Sequence, residues 1–298
     1  MSKILVGVAV WNHWQIIERF VKSLKEHTDL ADVEFVIFDN GSDNEKMKDW
    51  LKNCDEKVYY IGDNIGCCGG IRKMFEYAFD RDDIEFVVTC AADVLFTDDW
   101  LSRLRNVMRM DDNIVLVSPK DINAFHCFQF FNVPDEYKPD KVKIGDIGFN
   151  TYVFGDDVKM QEYVKREFYS KRKHLAYIDV KSTDITASVW RKSLVKELGG
   201  FCSSFDYALG DIEMMVRIHK KGYRIVYCLS SFIYHHSHGG AGLYEGYLKK
   251  FGKNLGEYAK DAMSLIKSIH GEDIADYGNM SKAFSPEILC QEEELVRL

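Results

Sequence analysis

Apolar and polar positions alternate along this chain in blocks. Ile4-Leu5-Val6-Gly7-Val8-Ala9-Val10 carries the signal of a buried strand. The turn Trp11-Asn12-His13-Trp14 follows, and then Ile16, Ile17, Phe20, Val21 and Leu24 recur at helical spacing as far as about His27. Glu34–Phe38 repeats the strand signal and ends in the turn formers Asp39-Asn40-Gly41-Ser42-Asp43, ahead of a helix from about Asn44 to Asn53. Lys57–Ile61 predicts a third strand, Gly62–Gly70 a glycine-rich turn, and a helix runs on through about Phe79. Phe86–Val88 predicts a fourth strand. It leads to Asp93 and to a helix capped by Thr97 or Asp98, with Trp100, Leu101, Leu104, Val107 and Met108 on one face. This repeated strand, turn and helix predicts an α/β fold, a mostly parallel sheet flanked by helices.

The second part of the chain is less regular. A fifth strand, Ile114–Val117, ends at Ser118-Pro119, and residues 120–155 predict a crossover or edge region. A charged helix is expected over about Asp157–Lys173, its alternating signs marking a solvated face. Ile178–Val180 predicts a strand, and Ala187–Leu198 a helix stopped by Gly199-Gly200. Asp211–Lys221 predicts a further helix. Arg224–Cys228 predicts a last strand, leading toward Phe232 and the cluster His235-His236-Ser237-His238. From Leu243 the pattern is helical again, which predicts a C-terminal helical extension over 243–298.

Composition narrows the class. The 298 residues are 46% hydrophobic and 29% charged, enough for one large α/β domain or two small ones. A net charge of −8 argues against a duplex-binding surface. No segment stays apolar for the roughly 20 residues that a membrane span needs. The opening run is short and no small-residue cleavage site follows it, so it does not read as a signal peptide. The eight cysteines form no Cys-x-x-Cys pair, which predicts a reduced, cytoplasmic protein without a structural zinc site.

Five constellations carry candidate chemistry. Asp39 ends the second strand, where an acid either accepts hydrogen bonds from a ribose or base or holds an Asx-turn. Asn64-Ile65-Gly66-Cys67-Cys68-Gly69-Gly70 puts glycines between a strand and a helix, where backbone can approach a phosphate and Arg72 can add a cation. It is neither Gly-x-Gly-x-x-Gly nor a P-loop. Asp93 sits just past the carboxyl end of a buried strand, where open α/β sheets place ligands. It is a candidate ligand for a divalent cation bridging to a diphosphate, or else a capping aspartate. Asp211 and Glu213 open a helix, whose dipole favours acids there, and Arg217 lies four residues beyond Glu213. The histidines after the last strand can bind metal or be solvated. Gly-x-Ser-x-Gly and His-Glu-x-x-His are both missing, which excludes those hydrolase signatures.

The order of these features resembles family 2 glycosyltransferases of the GT-A fold, most closely their rhamnosyltransferase-like branch, over about residues 3–240. The family's base-holding turn after the first strand matches Ala9-Val10-Trp11-Asn12, and its strand-end acid for uracil or ribose matches Asp39. Its Asn-x-Gly-x-x-Gly-Gly turn matches Asn64 to Gly70, with Gly66, Gly69 and Gly70 as the glycines. Its Asp-x-Asp metal motif matches Ala91-Ala92-Asp93, and its Gly-Gly-Phe segment Gly199-Gly200-Phe201. Its Glu-Asp-x-Asp-x-x-x-Arg motif matches Gly210 to Arg217, and its late histidine His235 or His236. Two positions depart from the pattern: Ala91 replaces the first metal acid and Gly210 the usual glutamate. The Gln-x-x-Arg-Trp signature of processive members is missing.

The resemblance implies a nucleotide-diphospho-sugar transferase domain over 1–242, with a nucleotide-binding half, 1–118, and an acceptor and catalytic half, 119–242. It implies transfer of a single sugar, of hexosyl type, with inversion. Asp211 is the implied general base, and Mn²⁺ or Mg²⁺ the cofactor on Asp93 with His235 or His236. Val10, Trp11, Asp39, Asn64, Gly66, Gly69, Gly70, Arg72 and Ala92 are the implied contacts to a nucleoside-diphosphate sugar. The acceptor is open among a glycan, a lipid-linked sugar, a protein and a modified nucleobase. Residues 120–175 and the tail after 243 are expected to shape its site, and the C-terminal helices offer a homo-oligomer contact. A sugar-nucleotide-binding protein that has lost catalysis is the alternative reading, supported by Ala91 and Gly210. A Rossmann-like cofactor enzyme is disfavoured, because no Gly-x-Gly turn follows the first strand.

Overall fold

A computed structural model describes residues 3–121, 136, 157–169, 177–235, 252–253 and 255–271. Three strand and helix pairs come first: β1 (Lys3–Val10) and α1 (Trp14–His27), β2 (Val33–Asp39) and α2 (Glu45–Asn53), β3 (Lys57–Tyr60) and α3 (Cys67–Phe79). Next come β4 (Ile84–Cys90), a short β5 (Val94–Phe96), α4 (Trp100–Met108) and β6 (Ile114–Asp121). Then α5 (Asp157–Tyr163) continues as a π-turn over Val164–Phe168, followed by β7 (Tyr177–Asp179), β8 (Ala187–Arg191) and α6 (Lys192–Glu197). Last are α7 (Gly210–Lys220), β9 (Arg224–His235) and α8 (Leu255–His270).

The strands form a nine-stranded sheet in the order β3-β2-β1-β4-β8-β6-β9-β5, with β7 on β9. The first half is parallel, as the alternation predicts: β1 pairs with β2 and β4, and β2 with β3. The second half is mixed. β8 enters between β4 and β6 and runs antiparallel to both, while β6 and β9 run parallel. The expected helix over Ala187–Leu198 is therefore a strand to Arg191 and a helix only from Lys192. The reason is physical. A central strand is buried on both faces, so its apolar run loses the period of two and cannot be told from a buried helix.

Helices cover both faces. Along β1, Leu5 points into one core with Val36, Phe38, Met74 and Met214, while Ile4, Val6, Val8 and Val10 point into the other with Ile17, Phe20, Leu51 and Leu104. That is the period of two expected for a two-sided sheet. The charged helix α5 does carry a solvated face, with Glu162, Lys165 and Arg166 exposed. Its opposite stripe, Met160, Tyr163, Val164 and Phe168, packs on Leu95, Phe232 and Tyr234. The C-terminal α8 buries Ala262 and Ile266 in the same core as α7 and leaves Met263 and Ile269 exposed.

Pro119 shapes the carboxyl edge. It cannot donate to the ladder, and there the β6–β9 register jumps: Pro119 pairs with Cys228, but Lys120 with Phe232 and Asp121 with Ile233. The bulge re-aims β9, which continues to His235, opposite Val94 of β5. The strand expected to stop at Cys228 thus spans twelve residues.

Candidate active site

Two loops at the carboxyl ends of β1 and β2 are stitched together. The Asn40 backbone N–H donates to Val10 O at 2.9 Å, and Asp39 Oδ1 accepts from Ser42 N at 3.1 Å. Asn12 sits at φ 64°, and its Oδ1 accepts from Asp43 N and Asn44 N, each at 2.9 Å. Asp39 is buried at this junction beside Val10, its register partner in β1, with Trp11 next in the chain. The strand ends therefore bring Val10, Trp11 and Asp39 together.

The Asn64 turn is fixed from the same side. Asn64 Oδ1 accepts from Gly66 N at 2.9 Å, while buried Asn40 donates to Gly66 O at 2.9 Å and accepts from Ile65 N at 3.0 Å. Gly66 needs its missing side chain. It has φ +88°, and a Cβ there would lie 2.3 Å from Asp206 O. The Gly69 N–H donates to the same carbonyl at 2.9 Å. Arg72 grips Asp206 with two bonds, Nε to Oδ1 at 2.8 Å and Nη2 to Oδ2 at 2.6 Å, and also reaches Glu76. Its guanidinium ties α3 to the loop before α7, a role the sequence did not signal.

The amino ends of α3 and α7 meet. A Cβ at Gly210 would stand 2.9 Å from Cys68 Cβ, so the departure from the family's glutamate matches a close helix contact. Asp211 opens α7 beside Cys67 and Cys68. Burial pushes its carboxyl above the usual aspartate range, opposed by the backbone N–H groups of Ile212 and Asp211. Glu213 is turned away into a lock. It pairs with Arg217 (2.6 and 2.8 Å) and accepts from His270 Nε2 of α8 at 2.9 Å. Arg217 also donates to Leu198 O and Gly200 O, holding the Gly-Gly-Phe turn. The two acids of this motif thus divide, Asp211 standing beside Cys67 and Cys68 and Glu213 bracing the helix.

On the other side, His235 Nε2 lies 3.0 Å from Asp93 Oδ1, and its Nδ1 lies 3.5 Å from Asp121 Oδ2. Burial disfavours the charged ring, but the two carboxylates outweigh it and hold the His235 pKa well above its ordinary value. His13, after β1, carries the opposite shift, lowered by burial with Asp93 in partial opposition. Asp184, between β7 and β8, joins this cluster. Donor atoms of Asp121, Asp184 and His235 all lie within 4.8 Å of one another. Burial raises the Asp184 carboxyl to about 6, opposed by His235 and reinforced by Asp121 and Asp211, so the charge of the α7 acid is felt at the cluster. Carboxylate oxygens with an imidazole nitrogen suit Mn²⁺ or Mg²⁺.

Sequence reasoning singled out Asp93, His235 and Asp211, and the structure adds Asp121, Asp184 and His13 beside the Asp93–His235 pair. Asp121 lies two residues beyond Pro119, where the expected strand ends, and Asp184 stands in a polar turn with no motif around it. Ala92 lies beside Asp93 and packs against the core of α1 and α4. His236 lies outside the described residues.

The Asp39 and Asn64 turns, Asp93, Asp121, Asp184 and His235 all stand at one edge of the sheet, the carboxyl edge of its parallel strands, where α/β proteins place their ligands. Residues 5–198 match the family model "Glycosyl transferase family 2", so the chain belongs to that family. Its fold is that of the GT-A glycosyltransferases. A crystal structure of GalNAc-T7 with UDP, GalNAc and Mn²⁺ superposes with a TM-score of 0.54 at 14% identity, covering 95% of this chain. The chain spans 54% of that protein's length. No curated protein matches the sequence. Among the described residues, no helix is long and apolar enough to cross a membrane.

Proposed function

We propose that the chain is an inverting glycosyltransferase, of hexosyl type and of the rhamnosyltransferase-like branch. It moves one sugar from a nucleoside-diphosphate donor to an acceptor hydroxyl in the cytoplasm. What supports this is the family 2 match together with the Asp93–His235 pair, 3.0 Å apart, beside an Asp184 that feels the charge of Asp211. Asp39, Val10 and Trp11 would take the nucleoside, in the half before residue 118. The amino end of α3, reached through the Gly66–Gly70 turn, would favour the diphosphate through the helix dipole. Asp211 would accept the proton of the acceptor hydroxyl as its oxygen attacks the anomeric carbon. Burial makes that carboxylate a stronger base than a solvated aspartate. A divalent ion held by Asp93 and His235 would supply charge neutralisation for the departing diphosphate. GalNAc-T7, with UDP and Mn²⁺, is a precedent for that donor and ion on this fold.

A second reading, donor binding without catalysis, is favoured by Ala91 and Gly210. A thermal-shift screen of nucleotide sugars with Mn²⁺, run beside S-adenosylmethionine and NAD, tests what both readings share. One nucleotide sugar should raise the melting temperature by linkage. A shift confined to S-adenosylmethionine or NAD would overturn both.

A further inference from the structure

The cation motif of this chain has lost its first acid to Ala91, yet the backbone at Ala91 leads to a replacement. The Ala91 N–H donates to Thr186 O at 2.7 Å, continuing the antiparallel β4–β8 pairing past Cys90 and Ala187. That pairing lays the turn carrying Asp184 alongside the Ala91–Asp93 turn. The Asp184 main chain is pinned independently: Ser118 Oγ donates to its carbonyl at 2.9 Å and Ser188 Oγ at 3.0 Å, while Thr89 Oγ1 donates to Ile185 O at 3.3 Å. From the other side, the register jump at Pro119 brings Asp121 beside Ile233, two residues before His235. Asp121 is 2% exposed.

We infer that Asp121 and Asp184 form the cation seat with His235, supplying from the β6 end and the turn before β8 the carboxylate oxygens that Ala91 no longer provides, while Asp93 meets His235 at Nε2, the ring nitrogen opposite the one facing Asp121. The chemistry agrees. A small hard dication prefers oxygen ligands in excess of nitrogen, and donor atoms within 4.8 Å of one another can close on one ion with small rotations. The seat is preorganised, because the main chain around Asp184 is held by hydrogen bonds that need no ion. It also explains how Ala91 is tolerated: strand pairing, not the local motif, delivers the missing acid. This inference rests on the glycosyltransferase reading only for what the ion does.

Mn²⁺ alone is the probe, titrated into the full chain and read by electron paramagnetic resonance of the free ion. Wild type should bind one Mn²⁺. Asp121→Asn and Asp184→Asn should each weaken binding by 10-fold or more, on the scale of ligand and supporting-residue losses at metal sites. Unchanged affinity in both variants, or no Mn²⁺ bound by wild type, overturns the inference. Should either variant fail to fold, wild type answers by itself. Fe²⁺ with ascorbate and peroxide cleaves backbone near its ligands, and mass spectrometry should find cuts near residues 93, 121, 184 and 235. Cuts near 93 and 235 without 121 and 184 overturn it. Mn²⁺ bound as expected but no nucleotide sugar bound would count against the glycosyltransferase reading and leave the seat standing.

Discussion

Asp211 is where burial and chemistry pull on one side chain. Its carboxyl is raised by burial above the ordinary 3.8, so the ionised form that a base requires is the form the fold disfavours. Two outcomes follow. Asp211→Asn should lower turnover by about 10²–10⁴-fold, the usual worth of a general base, with donor affinity retained in calorimetry. The same variant should melt higher than wild type at neutral pH. The sign is fixed by linkage. A group with a raised folded pKa destabilises once ionised, so the gain appears above that pKa and disappears as pH falls toward 3.8. A variant that melts lower at neutral pH contradicts the burial account. The transfer rate of wild type should also fall on the acid side at a pH above that of a solvated aspartate. At this scale the sequence singled out residues that sit in local motifs, as Asp39, Asp93 and Asp211 do. It was silent where the fold joins distant residues. Nothing in Ser118–Asp121 or Ser182–Thr186 marks them as neighbours of His235, because a bulge and a strand pairing create that proximity.

At the scale of elements, helix contacts hold the site. The α3–α7 contact at Gly210 and Cys68 has no room for a side chain. Gly210→Glu, which restores the family's residue, should destabilise by about 1–3 kcal/mol as overpacking does, read as a lower urea midpoint. An unchanged midpoint would show that the helices part easily. His270 of α8 braces Glu213, and Tyr258 of α8 stacks on Tyr207 at 4.7 Å, just before α7. His270→Ala should cost about 1–3 kcal/mol, the loss of a partner for a buried carboxylate, without a change in the pH dependence of transfer. The first seven elements were legible because each amphipathic helix follows a strand of distinct composition. β8 was not legible, since apolar residues on both faces erase its period. β5 was not either, since three residues are too few to show one.

At the scale of the molecule, the half-parallel sheet and its two helix layers belong to family 2 glycosyltransferases. The chain's own features lie at the carboxyl edge: a motif acid lost at Ala91, two acids gained from neighbouring strands, and a C-terminal helix locked onto the α7 that carries Asp211. These features bear on the proposal that a nucleotide sugar is bound and turned over at this edge of the sheet. The most direct test is a panel of nucleotide sugars incubated with the protein and Mn²⁺, read by release of free nucleoside diphosphate, with Asp211→Asn run in parallel. The account predicts release from one donor by wild type, and binding of that donor without release by Asp211→Asn. Release by Asp211→Asn at the wild-type rate, or no release from any donor by wild type, would contradict it.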